Sequence, residues 1–220
     1  MIAVVFALEF EAADFVASSA RRLCVDVWQL GVTGHRAAGA FERRLESVRP
    51  DVVVSAGFCG AIQPGLAVGT TVVAENYTTL PVDAILHELP EIRRGQLATV
   101  PNVITTSEGK VRLGLSSGAL IADMETAHLA DVCGVNGIPF FALRVVSDTC
   151  EQDLPVPGHV LIDPATGRPS PDLLFRYLLK NPRAAVGLNR LIGNSKLARR
   201  KLSAALETII PRLLRRAEHS

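Results

Sequence analysis

The chain has 220 residues, 48% of them hydrophobic and 20% charged, with a formal net charge of +1. This is enough to bury a full hydrophobic core and is compatible with one α/β domain. The four cysteines are far apart, with no CxxC pair and no histidine at ligand spacing, which excludes an obvious zinc site or disulfide framework.

The N-terminus has none of the features of a targeting segment. It lacks a basic region, it has Glu9 and Glu11 early, and its apolar run of residues 2–8 is too short to span a bilayer. We therefore expect a cytoplasmic protein with reduced thiols.

The first third of the chain alternates strand-like and helix-like segments. Residues 2–8 and 51–55 are continuous apolar runs, typical of strands covered on both faces. Gly57 and Gly60 are expected to end the second of these runs. The predicted strands are 2–8, 25–30, 51–55 and 68–74, and the predicted helices are 9–22 and 35–47.

The alternation continues after a break. Residues 77–96 have no clear period and are predicted to be a surface excursion. Short strands are expected within 97–105 and at 119–122, helices at 108–115 and 125–133, and a strand at 140–146 that closes the sheet. The pattern predicts an α/β fold, a three-layer sandwich with a central mixed sheet, over residues 1–170.

Residues 171–220 are predicted to be a basic, helical C-terminal extension of the same domain. They contain 11 Lys and Arg against three Asp and Glu, and their leucines and isoleucines recur at helical spacing. Two interpretations stay open: helices packed on the sheet with a solvated basic face, or a face that contacts an anionic membrane. Nucleic acid is not expected as a partner, because the extension has almost no aromatic residues to stack on bases.

Three acidic residues follow separate apolar strands: Glu11, Glu125 and Asp148. Singly, each has an ordinary structural explanation as a charge at a helix N-terminus or a residue that caps a turn. Together they indicate a ligand cleft, because strand ends in an open α/β sheet are where ligands bind. The sequence therefore points to a small-molecule enzyme.

Four motifs carry a resemblance to a known family. They are ALEFE at 7–11, SAGFCG at 55–60, DME at 123–125 and RVVSD at 144–148. In this order they resemble the nucleoside phosphorylase superfamily, and most closely the methylthioadenosine/adenosylhomocysteine nucleosidases, over residues 1–150. The basic extension, and Asp-Met-Glu in place of the usual Glu-Met-Glu, are similar to a hopanoid-associated branch whose implied substrate is adenosylhopane.

The resemblance implies roles for the acidic residues. Cleavage of a purine N-glycosidic bond leaves negative charge on the base, so Asp148 would donate a proton toward N7, which requires a raised pKa. Glu11 would take a proton from the attacking water, with Arg144 nearby to hold that water. Glu125 would accept hydrogen bonds from the ribose hydroxyls.

The resemblance also implies a set of substrate-binding residues. Val103 and Ile104 would read the adenine edge through main-chain groups, and Gly60 would lie in a turn beside the purine. Phe58 stands where the family usually has a small hydroxyl residue. The full set is Phe58, Gly60, Val103, Ile104, Met124, Glu125, Arg144 and Ser147.

Water is the nucleophile that the residues favour. The first strand ends without a glycine, and Glu11 would repel phosphate. Residues 31–36 still offer a possible phosphate nest with an arginine, so phosphorolysis stays open. The segment 77–97 is shorter than in the methylthioadenosine enzymes, which favours a bulky 5′ group.

The sequence thus predicts a nucleosidase that releases adenine from an adenosine derivative with a large apolar 5′ group. The resemblance implies a homodimer and no metal or organic cofactor. The alternatives are an ordinary methylthioadenosine/adenosylhomocysteine nucleosidase and a futalosine-type hydrolase. An alternative from another class is a non-catalytic nucleoside-binding protein.

Overall fold

The computed structural model describes residues 1–31, 34–161 and 171–217, and within these ranges it contains eight strands and eight helices. The strands are β1 (Ile2–Phe6), β2 (Asp26–Gln29), β3 (Val52–Ala61), β4 (Thr71–Ala74), β5 (Ile92–Gly95), β6 (Leu97–Thr99), β7 (Ile121–Asp123) and β8 (Phe140–Asp148). The helices are α1 (Glu9–Ser18), α2 (Gly34–Leu45), α3 (Val82–Ile85), α4 (Ser107–Ser117), α5 (Thr126–Val135), α6 (Gly158–Leu161), α7 (Pro171–Lys180) and α8 (Ala184–Ala217).

The strands form one mixed sheet in the order β2-β1-β3-β8-β4-β5. β1, β2, β3 and β8 are parallel to one another, whereas β4 is antiparallel to β8. β7 pairs antiparallel with the last residues of β3, and β6 pairs with β7. The predicted mixed sheet is confirmed. However, β8 lies in the centre of the sheet and is not its last strand. Because a central strand is covered on both faces, its apolar run has no alternation.

Alternate residues of the central strands enter two separate cores, one on each face of the sheet. On one face, residues such as Val4, Val54 and Leu143 pack with α1 and α8. On the other face, residues such as Val5 and Val53 pack with α2 and α5. The helix-sheet-helix arrangement confirms the predicted three-layer α/β fold.

Two predicted boundaries are wrong for the same reason: tertiary contacts override the local signal. β3 continues through Gly57 and Gly60 to Ala61, because hydrogen bonds to β8 hold both glycines in the strand. Residues 77–96 are not a surface excursion, because Val82 and Ile85 of α3 and Ile92 of β5 are buried in the core. Their apolar residues are separated by turns, which hides any regular period.

The long helix α8 is part of the core. Its residues Leu202, Leu206 and Ile209 have no exposed surface, and the helix packs on α1 and on β8. The interpretation of a packed helix is therefore correct for the stretch 198–213. None of the described helices is long and apolar enough to cross a membrane. The division of the domain at residue 170 stays a prediction.

Removing a buried side chain from α8 is expected to destabilise the whole domain. Ile209→Ala should lower the free energy of unfolding by roughly 2–5 kcal/mol, the usual cost of such a cavity. The neighbouring exposed Thr208→Ala is the control and should change it by less than about 0.5 kcal/mol. Urea unfolding of both variants measures this, and equal stabilities would show that α8 is not part of the cooperative core.

Candidate active site

A pocket of about 220 Å³ lies at the carboxyl ends of β1, β3 and β8, where an open α/β sheet is expected to bind ligands. Nine of the ten residues predicted from the sequence line it: Glu11, Phe58, Gly60, Val103, Ile104, Met124, Glu125, Ser147 and Asp148. The rest of its wall is mostly apolar and includes Ile62, Val100, Leu154 and Leu191.

Glu11 is a buried carboxylate held by two backbone groups. The N–H of Leu8 donates to its Oε2 at 2.9 Å, and the N–H of Phe58 donates to its Oε1 at 2.8 Å. A Cβ at Gly57 would come within 3.1 Å of Oε1, so glycine leaves the space for this carboxylate. The backbone of two strand ends therefore fixes the orientation of Glu11.

The pKa of Glu11 is shifted by opposing effects. Burial raises the pKa of the carboxyl above its ordinary value, and the two backbone hydrogen bonds and the positive charge of Arg144 partly offset this rise. A carboxylate with a raised pKa is a better proton acceptor than an exposed glutamate. Glu11 is thus suited to act as a general base near neutral pH.

Asp148 reaches the pocket because of an irregularity in the sheet. The pairing of β3 with β8 shifts between Cys59 and Gly60, so that Gly60 pairs with Asp148 and Ser147 is the extra residue. Successive residues of a regular strand point to opposite faces, but this bulge lets both Ser147 and Asp148 line the pocket. The Ser147 hydroxyl donates to Oδ1 of Asp148 at 2.8 Å.

Gly60 lies in β3 and not in the turn that was expected. A Cβ at this position would come within 3.1 Å of Oδ2 of Asp148. Gly57 and Gly60 therefore have the same function, since each leaves space for one carboxylate of the pocket. The close approach explains why a strand buried in the sheet contains two glycines.

Lys110 is a pocket residue that the sequence did not reveal. It lies on α4 with its side chain 2% exposed, and its Nζ is 2.6 Å from Oδ2 of Asp148. Lysine on a helix is normally solvent-exposed, so nothing in the local pattern marks Lys110. Only the tertiary fold brings α4 against the end of β8.

Arg144 does not line the main pocket but lies beneath it. All five of its N–H donors are used by the protein: Nε binds Asp123 at 2.9 Å, and the two terminal nitrogens bind the backbone carbonyls of Ser55 and Leu143 and the hydroxyls of Ser55 and Thr126. This buried guanidinium supports the pocket from below, and the expected role of Arg144 in holding the attacking water stays a prediction.

Asp123 is the structural acid of the Asp-Met-Glu motif. It is the partner of Arg144, it accepts a hydrogen bond from the Thr99 hydroxyl at 2.9 Å, and the backbone N–H and hydroxyl of Thr126 bind it at the start of α5. These contacts leave Met124 and Glu125, the next two residues, in the wall of the pocket. The helix was expected to begin at residue 125, and Glu125 is the N-cap residue of a helix that begins at Thr126.

A second, much smaller cavity of about 10 Å³ adjoins Glu11. It is lined by Glu11, Ser55, Gly57, Glu125 and Arg144, among others. This volume corresponds to about one water molecule, and the polar lining can provide its hydrogen bonds. The possible phosphate nest at 31–36 cannot be assessed beside it, because Val32 and Thr33 lie outside the described residues.

Phe58 makes two separate contacts: its backbone N–H donates to Glu11, and its ring packs against Phe10. The Phe58 ring packs edge-to-face on Phe10, with centroids 6.3 Å apart, and the guanidinium of Arg199 lies 4.5 Å from the Phe10 ring centroid. Through these contacts α8 supports the wall of the pocket. The bulky ring at this position therefore leaves the hydrogen bond to Glu11 intact.

Comparison with known proteins agrees with this geometry. A family model described as "Phosphorylase superfamily" matches residues 82–162. The 5′-methylthioadenosine/S-adenosylhomocysteine nucleosidase of Shewanella halifaxensis is 26% identical over 175 residues, covering 65% of this chain and 76% of that protein.

Solved structures show the same fold. The 5′-methylthioadenosine/S-adenosylhomocysteine nucleosidase from Neisseria meningitidis, in complex with methylthio-immucillin-A, has a TM-score of 0.67 at 17% identity and covers 95% of this chain and 97% of its own. Futalosine hydrolase of Helicobacter pylori has a TM-score of 0.61 at 13% identity and covers 100% and 97%. The family match, the fold and these relatives together show an enzyme similar to the phosphorylase superfamily and, among its members, to the methylthioadenosine/adenosylhomocysteine nucleosidases.

Proposed function

We propose that this enzyme hydrolyses the N-glycosidic bond of an adenosine derivative and releases adenine. One observation carries the proposal: two carboxylates, Glu11 and Asp148, line the same pocket, and a cavity the size of one water molecule adjoins Glu11. Hydrolysis of a glycosidic bond needs a base for the water and an acid for the leaving group. The pocket offers one candidate for each role.

The assignment of the two carboxylates follows from their surroundings. Glu11 has the raised pKa and the adjoining cavity, so it takes the proton of the attacking water. Asp148 lies on the side of Gly60 and Ser147, where it donates a proton to N7 of the purine as the bond breaks. Met124 and Glu125 line the same pocket and bind the ribose. Glu125 accepts hydrogen bonds from the ribose hydroxyls.

Two features favour water over phosphate. The guanidinium of Arg144, which lines the small cavity beside Glu11, is already saturated by protein acceptors, so it has no N–H left for a bidentate phosphate contact. The cavity beside Glu11 is about 10 Å³, which suits one water and is too small for a tetrahedral anion. Phosphorolysis would require Arg144 or Glu11 to move.

The 5′ substituent of the substrate is proposed to be large and apolar, as in adenosylhopane, and the reaction to belong to hopanoid biosynthesis. Apolar side chains from the 149–157 loop and from α8, Leu154 and Leu191, line the pocket. None of the described residues that line it comes from 77–97, because α3 and β5 pack into the core. This segment therefore provides no cover within the chain, which leaves space for a bulky group.

The protein is further proposed to act at the cytoplasmic face of a membrane, as a homodimer. α7 and the start of α8 expose the apolar side chains of Phe175, Leu179 and Val186, which are 63%, 69% and 79% exposed. Exposed basic residues lie among them: Arg176, Lys180, Arg183 and Arg190. Apolar and basic side chains on one helical surface are typical of proteins that bind an anionic bilayer from one side.

The proposed homodimer is tested separately, by sedimentation equilibrium of the purified protein.

Replacing the base should abolish turnover without abolishing binding. Glu11→Gln is expected to lower kcat by roughly 10²- to 10⁴-fold, the contribution of a general base, while a non-cleavable adenosine analogue binds within about threefold of the wild type. Wild-type activity should fall as the pH decreases through the raised pKa of Glu11, because a protonated carboxyl cannot accept a proton.

Glu9→Gln is the matched control for this variant, because Glu9 is an exposed residue in the same turn of α1. It should leave kcat and the acid limb of the pH profile unchanged. A Glu11→Gln enzyme with wild-type turnover would refute the assignment of Glu11 as the base.

Release of the free purine base from adenosylhopane, methylthioadenosine, adenosylhomocysteine and futalosine tests the substrate, each with and without phosphate. We expect release from adenosylhopane without phosphate, and little from methylthioadenosine or futalosine. Release mainly from methylthioadenosine or adenosylhomocysteine would make the protein a salvage nucleosidase, and release from futalosine a futalosine hydrolase. Phosphate dependence would show phosphorolysis, and binding without release would show a non-catalytic nucleoside-binding protein.

Membrane contact is tested by flotation with phosphatidylcholine vesicles, with and without phosphatidylglycerol. Binding should require the anionic lipid, and Lys180→Glu should weaken it at least about fivefold, since one basic residue near the surface contributes about 1 kcal/mol. Arg43→Glu, an exposed residue of α2 on the other face of the sheet from α8, is the charge-matched control. Equal binding of both variants would refute this surface.

A further inference from the structure

Lys110 is a buried cation that the proposed reaction does not yet use. Its Nζ donates to the backbone carbonyls of Thr149 and Gln152, each at 2.9 Å, and contacts Oδ2 of Asp148 at 2.6 Å. An ammonium group has three N–H donors, so all three are taken by the protein. The position of Nζ is therefore fixed, and Lys110 has no donor left for a substrate.

We propose that Lys110 is a positioning residue for Asp148. Its ammonium holds Oδ2, so that Oδ1 is the oxygen that carries the proton to the leaving base, and it stabilises the carboxylate that remains after the transfer. The inference rests on the proposed function, in which Asp148 is the acid. It adds a charged residue from α4 to the site that contains Glu11 and Asp148.

The proton transfer balances in a simple way. The Oδ1–H bond of Asp148 breaks and an N7–H bond forms, while the electron pair of the glycosidic bond moves into the purine. The hydroxyl of the attacking water bonds to the anomeric carbon and its other proton goes to Glu11. Loss of that proton to solvent and reprotonation of Asp148 restore the enzyme.

Ser147 is placed to follow this change in Asp148. Its Oγ lies 2.8 Å from Oδ1 of Asp148 and 3.2 Å from the carbonyl oxygen of Cys59. The single hydroxyl proton can point to the carbonyl while Oδ1 carries a proton, and to Oδ1 once that proton has left. Lys110 cannot make such a switch, because its three acceptors are present throughout.

Other titratable groups near the pair do not replace Lys110. Cys59 of β3 faces Asp148, and burial raises the pKa of its thiol well above the usual value, which keeps it neutral. Burial likewise raises the pKa of Cys150. The exposed Glu151 has its pKa lowered, first by a hydrogen bond with Thr149. Among the described residues, Lys110 is the cation in direct contact with Asp148.

Steady-state kinetics of Lys110→Met test the inference. We expect kcat to fall on the order of 10²-fold, the lower end of what a general acid contributes, and KM to change less than about threefold because Lys110 does not bind substrate. Lys110→Arg keeps a cation at this position and should recover part of the lost kcat, whereas the neutral Lys110→Gln should not. A purely structural role would not distinguish the charged from the neutral replacement.

Two controls isolate the path through Asp148. Arg112→Met removes an exposed cation from the same helix and should have no effect on kcat or on the pH profile. In an Asp148→Asn background, Lys110→Met should cause little further loss of kcat, because residues that act through one group are not additive. A full additional 10²-fold loss would overturn the inference.

A carboxyl NMR signal separates this inference from the proposed function. In ¹³C NMR of aspartate-labelled protein, with the Asp148 signal assigned by Asp148→Asn, the chemical shift of that signal should change in Lys110→Met and stay in place in Arg112→Met even when no substrate has been found. If Lys110→Met does not fold, Lys110→Gln removes the charge and retains an amide donor. An unchanged Asp148 signal, or wild-type turnover in a folded variant, would refute the role of Lys110. Failure of the wild type to release adenine would refute only the proposed function.

Discussion

The pairing of β3 with β8 is the interaction on which the site depends. These two parallel strands form the centre of the sheet, and their register places Gly57 beside Arg144 and Gly60 beside Asp148. The bulge after Cys59 turns Ser147 and Asp148 together into the pocket. A shift of β8 by one residue relative to β3 would move the side chains of β8 to the opposite faces of the sheet and remove Asp148 from the pocket.

The acidic residues of the site differ in the groups that neutralise them. Asp123 pairs with Arg144 and binds the start of α5, Asp148 contacts Lys110, and Glu11 is held by two backbone N–H groups. Burial raises the pKa of Glu11 and makes it a stronger base. The three carboxylates thus lie in three different environments within one pocket, as the different roles proposed for them require.

The contacts of Asp123 and Phe58 also explain two departures from the pattern of the similar family. The shorter Asp123 still reaches Arg144, so Asp-Met-Glu retains the ion pair beneath the pocket. Phe58 uses its backbone for Glu11 and directs its ring toward Phe10, where Arg199 of α8 lies. The C-terminal helix is thus connected to the chemistry through aromatic contacts as well as through the core.

Strong local signals predicted much of the fold and of the site. Uninterrupted apolar runs identified β1, the first part of β3 and β8, and the motifs at 7–11, 55–60, 123–125 and 144–148 contain seven of the nine predicted residues that line the pocket. Prediction failed where the local signal is weak or misleading. Residues 82–92 lack a period because short elements and turns alternate there, and the glycines of β3 look like breaks although their neighbours require them.

The sequence by itself determined the layers and the resemblance to a family, because hydrophobic periodicity and short motifs are local properties of the chain. Only the tertiary structure decided that Arg144 lies beneath the pocket, that α8 completes the core, and that Lys110 contacts Asp148. These contacts join residues distant in sequence, and Lys110 is 38 positions from its partner. The partners of a buried charged side chain are set only when the chain folds, and its neighbours in sequence do not indicate them.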